Sequence, residues 1–155
     1  MARIVEVGDK GVTARDAVTE TIISMTPQAC ARLIEGTAKG DALEAARVAG
    51  IMAVKRTPDL LPFCHPVAIT GAEVTAEPDA GSGRIRIRAT VRASDRTGVE
   101  MEALTAAAVA ALCLYDAAKP FDRAAVISDL RLVQKRGGKS GDYRLGEPAR
   151  GDGLG

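Results

Sequence analysis

Apolar positions recur at helical spacing twice in the first third of the chain. After an extended start at Ile4–Val7, Thr26-Pro27 supplies an N-cap followed by proline in the first helical position. Ala31, Leu33 and Ile34 continue that helix, and Gly36 ends it. A second helix is expected from about 41 to 55. Asp41 with Glu44 three positions on resembles a capping box, and Leu43, Ala46, Gly50, Ile51 and Val54 follow on one face. Pro58, Pro62 and Pro66 then impose a non-helical connector.

Beyond the prolines the period changes to two. Val67, Ile69 and Val74 form one strand and Ile85, Ile87, Ala89 and Val91 another, joined by a turn at 78–83. Arg84, Arg86, Arg88 and Arg92 face the other way and read as a solvated sheet face or, less simply, an anion site. Thr97-x-x-Glu100 has the form of a capping box opening an Ala-rich helix to about Lys119, and Val126–Val133 alternates as a last strand. The elements predict an α+β fold, an antiparallel sheet with helices packed on one face, of the ferredoxin-like sandwich kind. One domain over 1–145 is expected, with 146–155 a disordered tail.

Composition narrows the function classes. With 21 basic against 20 acidic residues no global field recruits nucleic acid or an anionic membrane, and 3% aromatic content leaves few stacking platforms for single strands. The charged N-terminus lacks the apolar core of a signal peptide, and the apolar stretches are expected to fall short of a bilayer span, so a cytoplasmic protein is expected. Cys30, Cys64 and Cys113 are widely spaced beside a single histidine, which predicts unpaired thiols and no metal site.

Three groups of residues carry candidate chemistry. His65, between Cys64 and Pro66, sits on a stiff extended loop and is either a proton shuttle or a histidine satisfied by a backbone carbonyl. Asp116 and Lys119 share a helical face, where they form a local ion pair or bracket a ligand. Lys135, Arg136 and Lys139 surround Gly137-Gly138, which offers cations and backbone N–H groups to phosphates, although Val133 stands where a P-loop needs its first glycine.

In order and spacing the chain resembles the MoaC family between about Val5 and Leu145. The resemblance is carried by Lys39-Gly40-Asp41, Ala46–Ile51, Lys55-Arg56-Thr57, Leu61–Pro66, Thr97–Thr105, Tyr115-Asp116 with Lys119, and Lys135 with Gly137–Asp142. It implies a phosphorus-oxygen lyase of molybdenum cofactor biosynthesis. Such an enzyme converts 3',8-cyclo-7,8-dihydro-GTP to cyclic pyranopterin monophosphate with release of pyrophosphate, without metal or redox cofactor, as a homohexamer built from three dimers. By the same resemblance Asp116, Lys119, Lys135, Lys39 and His65 are catalytic. Phe63, Cys64, His65, Met101, Glu102, Arg15, Lys55, Arg56 and Lys139 bind substrate, Arg15 as a triphosphate contact. The chain departs from the usual pattern at Phe63 and at Ala117-Ala118, which argues against a thiol role at position 118.

Helix geometry adds a constraint. Glu102 and Asp116 lie 14 positions apart on one uninterrupted helix, roughly 21 Å at about 1.5 Å per residue, which predicts a site shared between subunits. The Ala-rich surface (Ala106, Ala107, Ala108, Ala110, Ala111) either lets helices of two copies approach closely or packs on the sheet. Two other readings compete, a nucleotide-binding regulatory domain that needs the cations but not Asp116 or His65, and a structural oligomerisation protein.

Overall fold

A computed structural model describes residues 2–6, 8, 11–138 and 140–147. The elements run β1 (Thr13–Ser24), α1 (Pro27–Glu35), α2 (Ala42–Leu60), β2 (Ile69–Asp79), β3 (Arg84–Asp95), α3 (Glu100–Ala118), β4 (Val126–Arg136) and β5 (Tyr143–Arg144). They form one antiparallel sheet in the order β2-β3-β1-β4-β5. The first four strands have ferredoxin-like connectivity, so the expected α+β class holds.

The core lies between this sheet and the helices. Ala17 and Ile23 of β1, and Ile85, Ile87, Ala89 and Val91 of β3, are fully buried beneath α3. On α3 the facing residues are Ala103, Ala106, Ala107, Ala110, Ala111 and Leu114, also fully buried. Small side chains let the helix axis lie close to the strands, and the same alanines are therefore occupied within the chain. They do not form an intermolecular surface, so ordinary packing accounts for most of the Ala-rich stretch. α3 is 19 residues long with a mean hydropathy of 1.4, which meets the length and composition of a membrane span, contrary to expectation. Its buried alanine face identifies it as the core helix.

Several local expectations hold through named contacts. Thr26 caps α1 by accepting from the Ala29 N–H at 3.1 Å, and Asp41 caps α2 by accepting from Glu44 N–H at 3.0 Å. Glu44 pairs with Arg47 instead of closing a capping box. The arginines of β3 are exposed as expected, and Arg88 joins Arg131 of β4 around Glu20 of β1 at 3.2 and 2.9 Å. Burial raises the Glu20 pKa, but the hydrogen bonds from Arg131 and Arg88 outweigh it and hold the carboxyl below its ordinary range.

Other expectations fail for identifiable reasons. α2 continues to Leu60, past the expected end near 55, with Pro58 inside its last turn. Proline there removes one N–H, while Leu61 N–H still closes on the Thr57 carbonyl at 2.9 Å and the buried Thr57 hydroxyl donates to the Ala53 carbonyl at 2.8 Å. The Thr97-x-x-Glu100 capping box does not form: Val99 is the N-cap, with no side-chain bond, and Glu100 turns to Lys135. β4 runs on to Arg136 and acquires β5 as an edge partner. Its alternation is interrupted at Asp129, which has φ 55, near a slip in the β1–β4 register. Ile4–Glu6 form no strand, and Val7 and residues 148–155 lie outside the described residues.

The central strand β1 was not expected at all. Two of its four fully buried positions are Thr19 and Thr21, which obscure the apolar alternation. Both hydroxyls are satisfied, Thr19 donating to the Ala103 carbonyl at 2.6 Å and Thr21 to that of Ser128 at 2.7 Å.

Candidate active site

The candidate residues gather at the two ends of α3. At its C-terminal end Asp116 holds two lysines, Lys39 at 2.9 Å and Lys119 at 2.7 Å. Lys119 arrives by helical spacing, three positions on. Lys39 comes from a tight loop between α1 and α2, in which Thr37 and Gly40 exchange backbone hydrogen bonds at 2.9 Å. Gly40, at φ 109, supplies a backbone conformation that a side chain would oppose. Hydrogen bonds from Lys119 and then Lys39 pull the Asp116 pKa down to about 2, so it is ionised across the neutral range. All three side chains are half-exposed or more, which leaves the cluster open to a ligand.

The segment after Lys119 is tied back to α1. The Arg32 guanidinium lies 4.8 Å from the Phe121 ring centre. Asp122 accepts from the Thr26 N–H at 3.0 Å, and the Tyr115 hydroxyl donates to the Arg123 carbonyl at 2.8 Å. These contacts fix the end of α3 that carries Asp116.

At the N-terminal end of α3 a different set assembles. Glu102 is 3% exposed, and burial raises its pKa, with Glu100 and Asp95 adding repulsion in the same direction against its own backbone N–H. The Cys64 thiol is likewise pushed up, by burial and then by the Glu102 charge, which places it within reach of that carboxylate's field. Lys135 Nζ lies 2.6 Å from the Ser140 hydroxyl and 3.3 Å from Glu100. Arg15 donates to the backbone carbonyls of Asp95 and Arg96 at 3.1 and 3.2 Å. Gly138, at φ 87, packs against the Arg15 guanidinium so closely that a Cβ would collide with it. Gly137 N–H is held by Asp142 at 3.1 Å.

His65 Nε2 meets the Val5 carbonyl at 2.8 Å, the satisfied arrangement that was one of its two readings. Phe63 and Met101 are exposed, and so are Lys55 and Arg56, the latter 3.7 Å from Asp59. Lys139 lies outside the described residues. The expected catalytic residues therefore do not converge within one chain. Lys135 is bound to the first turn of α3 and Asp116 stands 16 positions further on, roughly 24 Å along the axis.

Glu100, Asp95, Ser140 and Asp142 contact these candidate residues, although none of them was assigned a site role from sequence. Glu100 was absorbed into a capping box, and Asp95 carried no local signal. Among the described residues no group of three or more His, Cys, Asp or Glu side chains could hold a metal, and the three cysteines are free thiols. A concavity lined by Ile22, Glu77, Asp79, Arg84 and Arg86 includes none of the candidate catalytic or substrate-binding residues.

Comparison with known proteins matches the sequence to a family. The sequence pattern described as the MoaC family covers residues 4–138. The chain is 50% identical over 149 residues, 96% of its length, to the cyclic pyranopterin monophosphate synthase of Brucella ovis, covering 90% of that protein. It is 52% identical over 144 residues, 92% of its length, to the protein of the same name from Parvibaculum lavamentivorans, again covering 90%. With the match spanning both clusters on α3 and the strands that carry them, the chain belongs to the MoaC family.

Proposed function

We propose that this chain converts 3',8-cyclo-7,8-dihydro-GTP to cyclic pyranopterin monophosphate and pyrophosphate in molybdenum cofactor biosynthesis, a reading supported by relatives named cyclic pyranopterin monophosphate synthase. The observation that carries this reading is the Asp116 carboxylate, ionised and held between Lys39 and Lys119. Rearranging a sugar and a purine requires a positioned base and acids, which this cluster supplies, with Lys135 and His65 completing the catalytic set. Closing a cyclic phosphate and expelling pyrophosphate requires cations at the developing charge, and Arg15, Lys135 and Lys139 beside the glycine loop meet that need. Phe63, Cys64, Met101, Glu102, Lys55 and Arg56 contact the substrate in this reading. No metal or redox cofactor enters it.

One chain separates the two halves of this machinery along α3, so we place the complete site between two copies, with Asp116 from one and Glu102 from the other. Val48, Met52, Met101 and Leu112 leave exposed apolar surface on α2 and α3 that a second copy would cover. A two-fold axis would generate two equivalent sites per dimer, and three dimers a hexamer, in the cytoplasm. A regulatory nucleotide-binding domain has no use for a carboxylate fixed by lysines from two elements, which favours the enzyme. Purified protein incubated with the cyclo-dihydro-GTP substrate is expected to release one pyrophosphate per cyclic product. Substrate binding without pyrophosphate would overturn the reading in favour of the regulatory domain.

A further inference from the structure

Asp95, the last residue of β3, makes contacts that no local pattern requires. Its Oδ2 accepts from the Ala68 N–H at 2.8 Å and its Oδ1 from the Arg96 N–H at 2.7 Å. Ser94 N–H donates to the Ala68 carbonyl at 3.2 Å, so the chain three positions after His65 is clasped from both sides. The backbone carbonyl of Asp95 meanwhile accepts from Arg15 Nε at 3.1 Å. One residue thus joins the Cys64-His65 segment, the Arg15 side chain and the loop leading into Glu100–Glu102. Proline at position 66 offers no N–H, so besides the Cys64 N–H bond to the Leu61 carbonyl and the His65 contact with the Val5 carbonyl, the segment is held through Ala68. The Ala68 N–H bond is the main reason the Asp95 carboxyl titrates below its ordinary range, against burial.

We propose that Asp95 is a positioning residue for substrate binding, holding the Cys64-His65 segment and the Arg15 guanidinium in mutual register through Ala68 and the 95–96 backbone. The proposal rests on the functional reading above. Its contacts end on backbone groups and on Arg15, so it acts through other residues and shapes binding more than the chemical step. Asp95→Ala is expected to raise KM roughly tenfold while kcat stays within about threefold, the pattern of lost ground-state and transition-state binding alike. Asp95→Asn keeps one acceptor, for Ala68, and gives up the one for Arg96, so KM should return to within about threefold of wild type.

Amide hydrogen exchange at Ala68 provides a readout that does not depend on the reaction, with protection expected in wild type and Asn and lost in Ala. If the Ala variant fails to fold, Asp95→Ser, whose hydroxyl is too short to reach Ala68, replaces it with the same expectations. An unchanged KM in an active, folded Ala or Ser variant overturns the proposal, and so does equal Ala68 exchange in all variants. A wild-type chain that does not turn over the substrate at all defeats the functional reading instead, and exchange at Ala68 alone then decides whether Asp95 holds the segment.

Discussion

Asp116→Ala should reduce product formation by on the order of 100-fold or more while the protein stays folded, since removal of a general acid or base commonly costs that much. The side chain is half-exposed and contributes nothing to the core, so melting should change little. Its depressed pKa, about 2, fixes the protonation state that matters. A carboxyl lowered in this way is charged above its folded pKa and loses the charge only as pH falls through it. In the free protein Asp116 can therefore accept a proton at neutral pH but has none to give. Turnover should show no loss from Asp116 protonation above about pH 3. Asp116→Asn, which keeps the shape without the charge, should be nearly as inactive as alanine. Near wild-type turnover in both variants would remove Asp116 from the mechanism.

A large effect on stability is expected at Gly50, where two helices and a strand meet. A Cβ there would sit 2.9 Å from Val74 Cγ2 and 3.1 Å from the Ala106 carbonyl, where α2 crosses both α3 and β2. Both Val74 methyls lie within 3.2 Å and the Ala106 backbone carbonyl cannot rotate away, so even Gly50→Ala should lose to strain the roughly 1 kcal/mol that alanine gains in helix propensity. Leucine cannot fit without separating the helices. Overpacking of this kind costs about 3 kcal/mol, which lowers the melting temperature by roughly 6–12 °C in a chain of this size. A Gly50→Leu variant that melts within a degree or two of wild type would show that α2 and α3 are not packed this closely.

How far these features could be read beforehand depended on whether the signal was local. The caps at Thr26 and Asp41, the β2–β3 hairpin and the extent of α3 rest on neighbours within a few positions, and they formed where expected. β1 was hidden because Thr19 and Thr21 satisfy their hydroxyls on backbone carbonyls 84 and 107 positions away, contacts that no window of sequence contains. α2 runs past the boundary its prolines suggest because a proline in the last turn sacrifices a single bond. In the site, the Asp116–Lys119 pair was visible from spacing, whereas Lys39 joins it across 77 positions. The reading of Glu100 as a cap hid its ion pair with Lys135, which depends on β4 running past the start of α3. For His65 spacing left two readings open, and family resemblance implies the catalytic one, while its ring meets the Val5 carbonyl.

In the proposed assembly opposite ends of α3, taken from two copies, build one site. Mixing Glu102→Ala with Asp116→Ala under conditions that allow subunit exchange tests it most directly. Each variant alone should be inactive, and a mixed dimer should carry one site damaged twice and one intact, so that pyrophosphate release partly returns. If exchange is demonstrated and activity does not return, or if Glu102→Ala is active by itself, the shared site is contradicted.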